Sequence, residues 1–196
     1  MPNTLSELSA KLPVKSVATS PLFVPLTLAN GAVIPNRIAK AAMEENMADA
    51  AHLPGAALVR LYERWAKGGA GLILTGNVMI DATAMTGPAG VLLDARQPLD
   101  PFRSWAKAAR SGGAQVWMQI NHPGRQVYAA MGQEAVAPSA VALNMASFSK
   151  LFAVPRALES KEIAALIECF ATTAKLAETA GFTGVQIHAE IGRAHV

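Results

Sequence analysis

One unit recurs three times in this chain and narrows its folds more than any other feature: an amphipathic helix, a glycine break, then a short apolar strand ending in polar residues. The copies read W-A-K-G-G-A-G-L-I-L-T-G-N (65–77), A-A-R-S-G-G-A-Q-V-W-M-Q-I-N-H (108–122) and A-E-T-A-G-F-T-G-V-Q-I-H (177–188). Helices alternating with buried strands build a parallel α/β sheet. In such sheets chemistry collects at the carboxyl ends of the strands. Those ends are Thr75-Gly76-Asn77, Gln119-Ile120-Asn121-His122 and His188.

Periodicity predicts a first helix over 56–67, after Pro54-Gly55, with Leu58, Leu61, Tyr62 and Trp65 on one stripe. Gly68-Gly69 closes it in the manner of a left-handed cap. A second helix opens with Asp100 as N-cap and Pro101 at its first position, and buries Phe102, Trp105 and Ala109. A third spans 160–180 with Ile163, Leu166, Ile167, Phe170 and Ala174 on one face, then Gly181. Leu22 to Ile34 reads as a hairpin turning at Ala29-Asn30-Gly31, its first strand demoted to an edge by Pro25. Core strands are expected near 37–43, 71–77, 114–120 and 184–188. Two long connections, 79–98 and 121–159, follow strand carboxyl ends, where long loops are usually functional or mobile.

With 52% hydrophobic and 16% charged residues in 196, the chain has the material for one domain around a buried sheet. No apolar run approaches the roughly 20 residues of a membrane span, so no membrane partner is expected. Residues 1–21 lack the pattern of a secretory signal and are expected to form a flexible extension. The single cysteine, Cys169, excludes an internal disulfide and suits a reducing, cytoplasmic setting; on an apolar helix face it reads as a buried structural thiol. A net charge of +3 from scattered Lys and Arg argues against nucleic acid as a partner. No H-x-x-x-H, C-x-x-C or carboxylate–histidine cluster supports a metal.

Four βα units are about half of an eight-stranded barrel, which needs about 250 residues. The rival is a self-contained four-stranded open sheet. No G-x-G-x-x-G follows a strand and no P-loop is present, so the barrel is favoured.

Taken alone, the polar residues are ambiguous. Gln119 reads equally as a buried amide satisfied by backbone, and His188 as a hydrogen-bonded core histidine. Glu44 and Glu45 are most simply a solvated pair rather than an acid–base dyad. Nothing in the sequence marks Lys40 as a desolvated nucleophile, which weighs against a Schiff-base aldolase.

Taken in series, the motifs L-F-V-P-L-T-L (22–28), N-R-I-A-K-A-A-M (36–43), G-G-A-G-L-I-L-T-G (68–76), Q-I-N-H-P-G-R (119–125), A-P-S-A (137–140) and A-G-F-T-G-V-Q-I-H-A (180–189) resemble the Old Yellow Enzyme family. Its members are FMN-dependent NAD(P)H:alkene oxidoreductases built on a (β/α)8 TIM barrel. The resemblance implies an amino-terminal half-barrel over 22–189, comprising the β-hairpin and about the first four βα units. It places backbone at Ala41, Ala42 and Met43 beside the flavin ring and Gln119 on its pyrimidine edge, with Asn77 approaching it from the second strand. His188 becomes the first of two groups holding the substrate's carbonyl oxygen. NADH or NADPH gives hydride to the flavin, which passes it to the β-carbon of a small activated alkene, an enone, enoate or dienoyl thioester. An imidazole N–H then stabilises the enolate-like charge. His122, Arg125 and the pair Asn36-Arg37 are assigned structural roles.

Three departures stand out. The family usually has Pro where Ala42 stands, and Thr or Cys at Glu44. A carboxylate aimed inward there disfavours the anionic reduced flavin, so it either turns away or lowers the potential. After His188 the family continues A-x-H-G-Y, whereas this sequence reads Ala189-Glu190-Ile191-Gly192-Arg193-Ala194-His195-Val196. Residues 190–196 are therefore expected to be a non-native tail, and the fragment to be inactive alone. The alternative is a non-catalytic half-barrel that self-associates, a homo-oligomer closing its strand edges against a twin.

Overall fold

The structure is a computed structural model that describes residues 20–189. Most of the expected N-terminal extension, and the expected tail at 190–196, lie outside the described residues. The three helices form where periodicity places them: α1 (Ala56–Lys67), α2 (Asp100–Ala109) and α3 (Ser160–Ala180). Among the described residues nine short or medium strands accompany them: β1 (Leu26–Thr27), β2 (Val33–Ile34), β3 (Ala39–Lys40), β4 (Leu72–Met79), β5 (Val91–Leu92), β6 (Gln115–Asn121), β7 (Val136–Ala137), β8 (Arg156–Ala157) and β9 (Gly184–Ile187).

The main sheet is parallel in the order β3-β4-β6-β9, with β5 beside the end of β4. Its helix-facing residues Ile73, Val78, Val116, Met118 and Ile120 are buried against Leu58 and Tyr62 of α1, Phe102 and Trp105 of α2, and Ala177 and Ala180 of α3. Edge-on aromatic contacts run through this layer, Tyr62 to Trp105 at 5.0 Å and Trp105 to Phe182 at 5.4 Å. All three helices share one face of the sheet. A doubly wound sheet carries helices on both faces, so this is a barrel segment.

Several local expectations need correction. Helix α2 begins at Asp100 itself, with Leu99 in the capping position; the Asp100 carboxylate pairs with Arg103 at 2.7 Å instead of capping. The Gly68-Gly69 cap after α1 is as expected, Gly69 taking the left-handed turn with φ of +80°. The first hairpin strand shrinks to two residues, because Pro21–Phe23 is a 3-10 turn. Likewise β3 pairs only through Ala39 and Lys40, since the chain then leaves the ladder and turns Glu45 towards α1. On α3 the buried residues are Thr173, Ala177 and Ala180; Ile163 and Ile167 are 43% and 62% exposed, because none of the described elements covers that end. Cys169 is half-buried rather than buried.

The amino end of the sheet is closed by the β1–β2 hairpin, which turns at Asn30-Gly31 as expected. Gln115 donates to the Val33 carbonyl at 2.9 Å, fastening the hairpin to β6. Asn36 accepts from the amides of Ile38 and Gly71 and donates to the Gly69 carbonyl, so it ties the starts of β3 and β4 together. The long connection after β6 is also structured. It holds the β7–β8 pair, and Arg156 bridges Glu134 (2.8 Å) and Glu162 (2.7 Å), clamping that pair to the start of α3.

Candidate active site at the strand carboxyl ends

Strand alternation turns Trp117, Gln119 and Asn121 away from the helices, onto the face that a closed barrel would enclose. The register then aligns three amides in one row: Asn77 opposite Gln119, and Gln119 opposite Gln186. Gln119 is 8% exposed and donates through Nε2 to Gln186 Oε1 at 2.7 Å. The Asn77 Oδ1 atom is buried with no hydrogen-bond partner among the described residues. A buried carbonyl oxygen left unpaired costs free energy and calls for a donor.

His188 follows directly after β9, and its amide donates to the Ile120 carbonyl at 3.0 Å. It is half-buried, and with Glu44, Asn77, Asn121, Tyr128 and Phe152 it lines a cavity of about 510 Å³. Tyr128 and Phe152 stack at 5.1 Å on its rim, one from each end of the long connection. Gln119 and the Ala41–Met43 segment lie outside this cavity's lining. Ala41 and Met43 are exposed and Ala42 is half-buried. They still border the amide row, because a Cβ on Gly76 would overlap the Met43 carbonyl. A larger cavity, about 610 Å³, lies near α3 and the β7–β8 pair; its Arg156 is already engaged by two carboxylates.

The two adjacent carboxylates part company. Glu44 lines the cavity and accepts a hydrogen bond from the Thr86 hydroxyl. Glu45 is not solvated: its side chain is 9% exposed, accepting from the Tyr62 hydroxyl at 2.6 Å and pairing with Lys40 at 3.2 Å. Burial, opposed by Glu45, lowers the Lys40 pKa. Burial and the same carboxylate push the Tyr62 phenol well above its usual range, so it stays protonated and donates. Lys40 is thus desolvated, yet its ammonium lies 4.4 Å from the Trp65 ring centroid, in the helix–sheet layer. It is not turned to the cavity as a Schiff-base lysine would be.

Residues 21–192 match the family model described as the NADH:flavin oxidoreductase / NADH oxidase family. The chain belongs to this family. Among its relatives is the NADH-dependent flavin oxidoreductase iliE of Hypocrea jecorina, 37% identical over 86% of the chain and 46% of the relative. Another is a probable flavin mononucleotide-dependent alkene reductase of Leishmania infantum, 32% identical over 84% of the chain and 48% of the relative. The solved structure of the old yellow enzyme homologue from Zymomonas mobilis superposes with a TM-score of 0.78 at 28% identity, covering 89% of the chain and 50% of that structure. The chain therefore spans about half the length of these relatives, and its sheet corresponds to part of their barrel.

Sequence reasoning assigned no role in the site to Gln186, Thr75 or Tyr62. Gln186 was legible as a polar residue two before His188 in a strand, hence on the same face. The role of Thr75 was not legible, since its hydroxyl works by accepting from the Gln119 backbone N–H across the sheet (2.9 Å). His122 is 5% exposed, and its Nδ1 accepts the Gly124 backbone amide.

Proposed function

We propose that this chain is the amino-terminal half of an FMN-dependent oxidoreductase that moves hydride from NADH or NADPH to a small activated alkene. The carrying observation is the row Asn77–Gln119–Gln186 at the strand ends, with an unpaired buried oxygen on Asn77 and His188 one step beyond. Amides that both donate and accept suit the pyrimidine edge of a flavin, so these residues fit FMN. The chemistry that bound FMN supplies is hydride transfer through its ring system, which the protein orients but does not perform. In this reading Gln119 and Asn77 read the ring edge, and the backbone of Ala41, Ala42 and Met43 flanks it. His188 donates an N–H to the substrate carbonyl oxygen and stabilises the charge that builds there.

Among the described residues, no Lys or Arg lines the strand-end cavity. The phosphate of FMN must be met elsewhere, as barrels do with loops after their last strands. These residues by themselves are accordingly expected neither to retain FMN nor to turn over. Joined to a second barrel half, the protein should retain flavin through desalting and oxidise NADH or NADPH as it consumes an enone. A completed barrel without flavin would sink the proposal, and flavin retained by residues 1–196 alone would sink its fragment clause. In the completed enzyme, His188→Ala should cut kcat/KM for the alkene about 10–100-fold while leaving flavin reduction by the nicotinamide unchanged. Because Glu44 faces the cavity, a lowered flavin potential is also expected. Glu44→Gln should raise it by about 30 mV in a redox titration.

One observation favours the self-associating alternative: β9 pairs with no further strand among the described residues, and its last residue, Ile187, is 61% exposed. Such edges invite pairing. A discrete, flavin-free dimer in sedimentation would select that reading.

A further inference from the structure

Asn77 reaches the amide row only because β4 contains one residue more than β6 does over the same span. Leu74 pairs with Trp117, and the next aligned pair on the two strands is Asn77 with Gln119. Three steps on one strand against two on the other make a bulge. Under unbroken alternation Gly76 would stand opposite Gln119, and Asn77 would turn to the helix face. The bulge therefore decides whether this strand offers the site an amide or a bare glycine.

Within the bulge the Thr75 hydroxyl accepts from the Gln119 backbone N–H (2.9 Å) and donates to the Gly76 carbonyl (2.8 Å), and three side chains from outside β4 hold it from the helix side. The Gly76 amide donates to the Tyr62 hydroxyl at 3.0 Å, outside the ladder, and the same hydroxyl donates to Glu45 at 2.6 Å. On the other side of the bulge Lys40 donates to the Leu74 carbonyl at 2.9 Å while paired with Glu45. The cluster thus satisfies the two ladder groups that flank the irregularity, a donor and an acceptor. It also draws the Glu45 carboxylate against Gly76, where a Cβ would have no room.

We propose that Lys40, Glu45 and Tyr62 are positioning residues: by fixing the Leu74–Asn77 bulge they set Asn77 in the amide row that meets the ligand. The bulge and its clamp are properties of the chain. That the ligand is a flavin rests on the function proposed above.

The test is Tyr62→Phe in the full chain, which keeps the ring and removes only the hydroxyl, read by amide hydrogen exchange and the side-chain NH2 resonances of Asn77 and Gln119. The Gly76 amide should exchange at least about 10-fold faster, while Val116, Met118 and Ile120 stay within about twofold and the Asn77 and Gln119 resonances shift. Glu45→Gln, which still accepts from the hydroxyl, should leave Gly76 closer to wild type than Glu45→Ala does. A merely structural cluster predicts a uniform rise across β4 and β6 with the side-chain resonances unmoved; that result, or an unchanged Gly76, overturns the proposal. If Tyr62→Phe does not fold, the comparison of the two Glu45 variants decides the matter. Flavin titration of the completed barrel is scored separately, so its failure removes the ligand's identity and leaves the exchange result standing.

Discussion

Glu45→Leu should destabilise the chain by about 3–5 kcal/mol at neutral pH, the cost of leaving a buried charge without its partner. The carboxylate is the counter-charge of Lys40, whose side chain is only 11% exposed. Without it the ammonium keeps the Leu74 carbonyl and the Trp65 ring face, neither of which carries a full negative charge. The deficit should depend on pH in a defined direction. The Lys40 pKa already sits below its usual 10.5, because burial outweighs the carboxylate, and losing Glu45 lowers it further. Between the folded value and the unfolded one the unfolded chain binds more protons, so the variant gains stability as pH rises through that window. Urea denaturation at neutral pH and at about pH 9.5 should show the gap to wild type narrowing. The double variant Lys40→Met with Glu45→Leu should recover most of the loss at both, since a buried pair replaced by apolar groups of similar volume is often neutral or better. A deficit below about 1 kcal/mol would mean the pair behaves as an exposed one.

That cluster also marks where the sequence stops being readable. Helix positions followed from i, i+3, i+4 spacing, as Leu58, Tyr62, Phe102 and Trp105 show, because a helix presents its stripe through local geometry alone. The barrel followed from alternating helices and strands. Gln119 and His188 were found at strand ends because a polar residue closing an apolar run is a local signal. Glu45 was misread because two adjacent carboxylates look alike in sequence. Their fates diverge through partners far along the chain: Tyr62 for Glu45 and Thr86 for Glu44. The phase of Asn77 cannot be read from either strand alone for the same reason, since a bulge is a count of one strand against another. The exposed Ile163 and Ile167 carry the converse lesson. Their spacing is that of a buried stripe, yet burial needs a covering element, and none of the described ones reaches them.

Gly76→Ala should be the most damaging single methyl in this part of the fold, costing about 3 kcal/mol or more as overpacking against an unyielding neighbour. The reason is close approach, not backbone freedom. An added Cβ would overlap the Met43 carbonyl, the Met43 carbonyl carbon at 3.0 Å and the Glu45 carboxylate. Relief requires moving either the 41–45 segment or the bulge itself. The first breaks the Lys40–Glu45–Tyr62 cluster, and the second turns Asn77 out of its row. Stability and the site are thus expected to fail together, with the urea midpoint lowered and the Asn77 side-chain resonances displaced. Gly87→Ala is the matched control. Its added methyl would meet only Asn46 Oδ1, at 3.6 Å, an ordinary contact, and its effect should stay within about 0.5 kcal/mol. Gly76→Ala that folds with wild-type stability and an unmoved Asn77 would mean that the 41–45 segment yields freely. A segment that loose could not hold a flat ring system in one place, and the assignment of Ala41, Ala42 and Met43 to the flavin's side would have to be withdrawn.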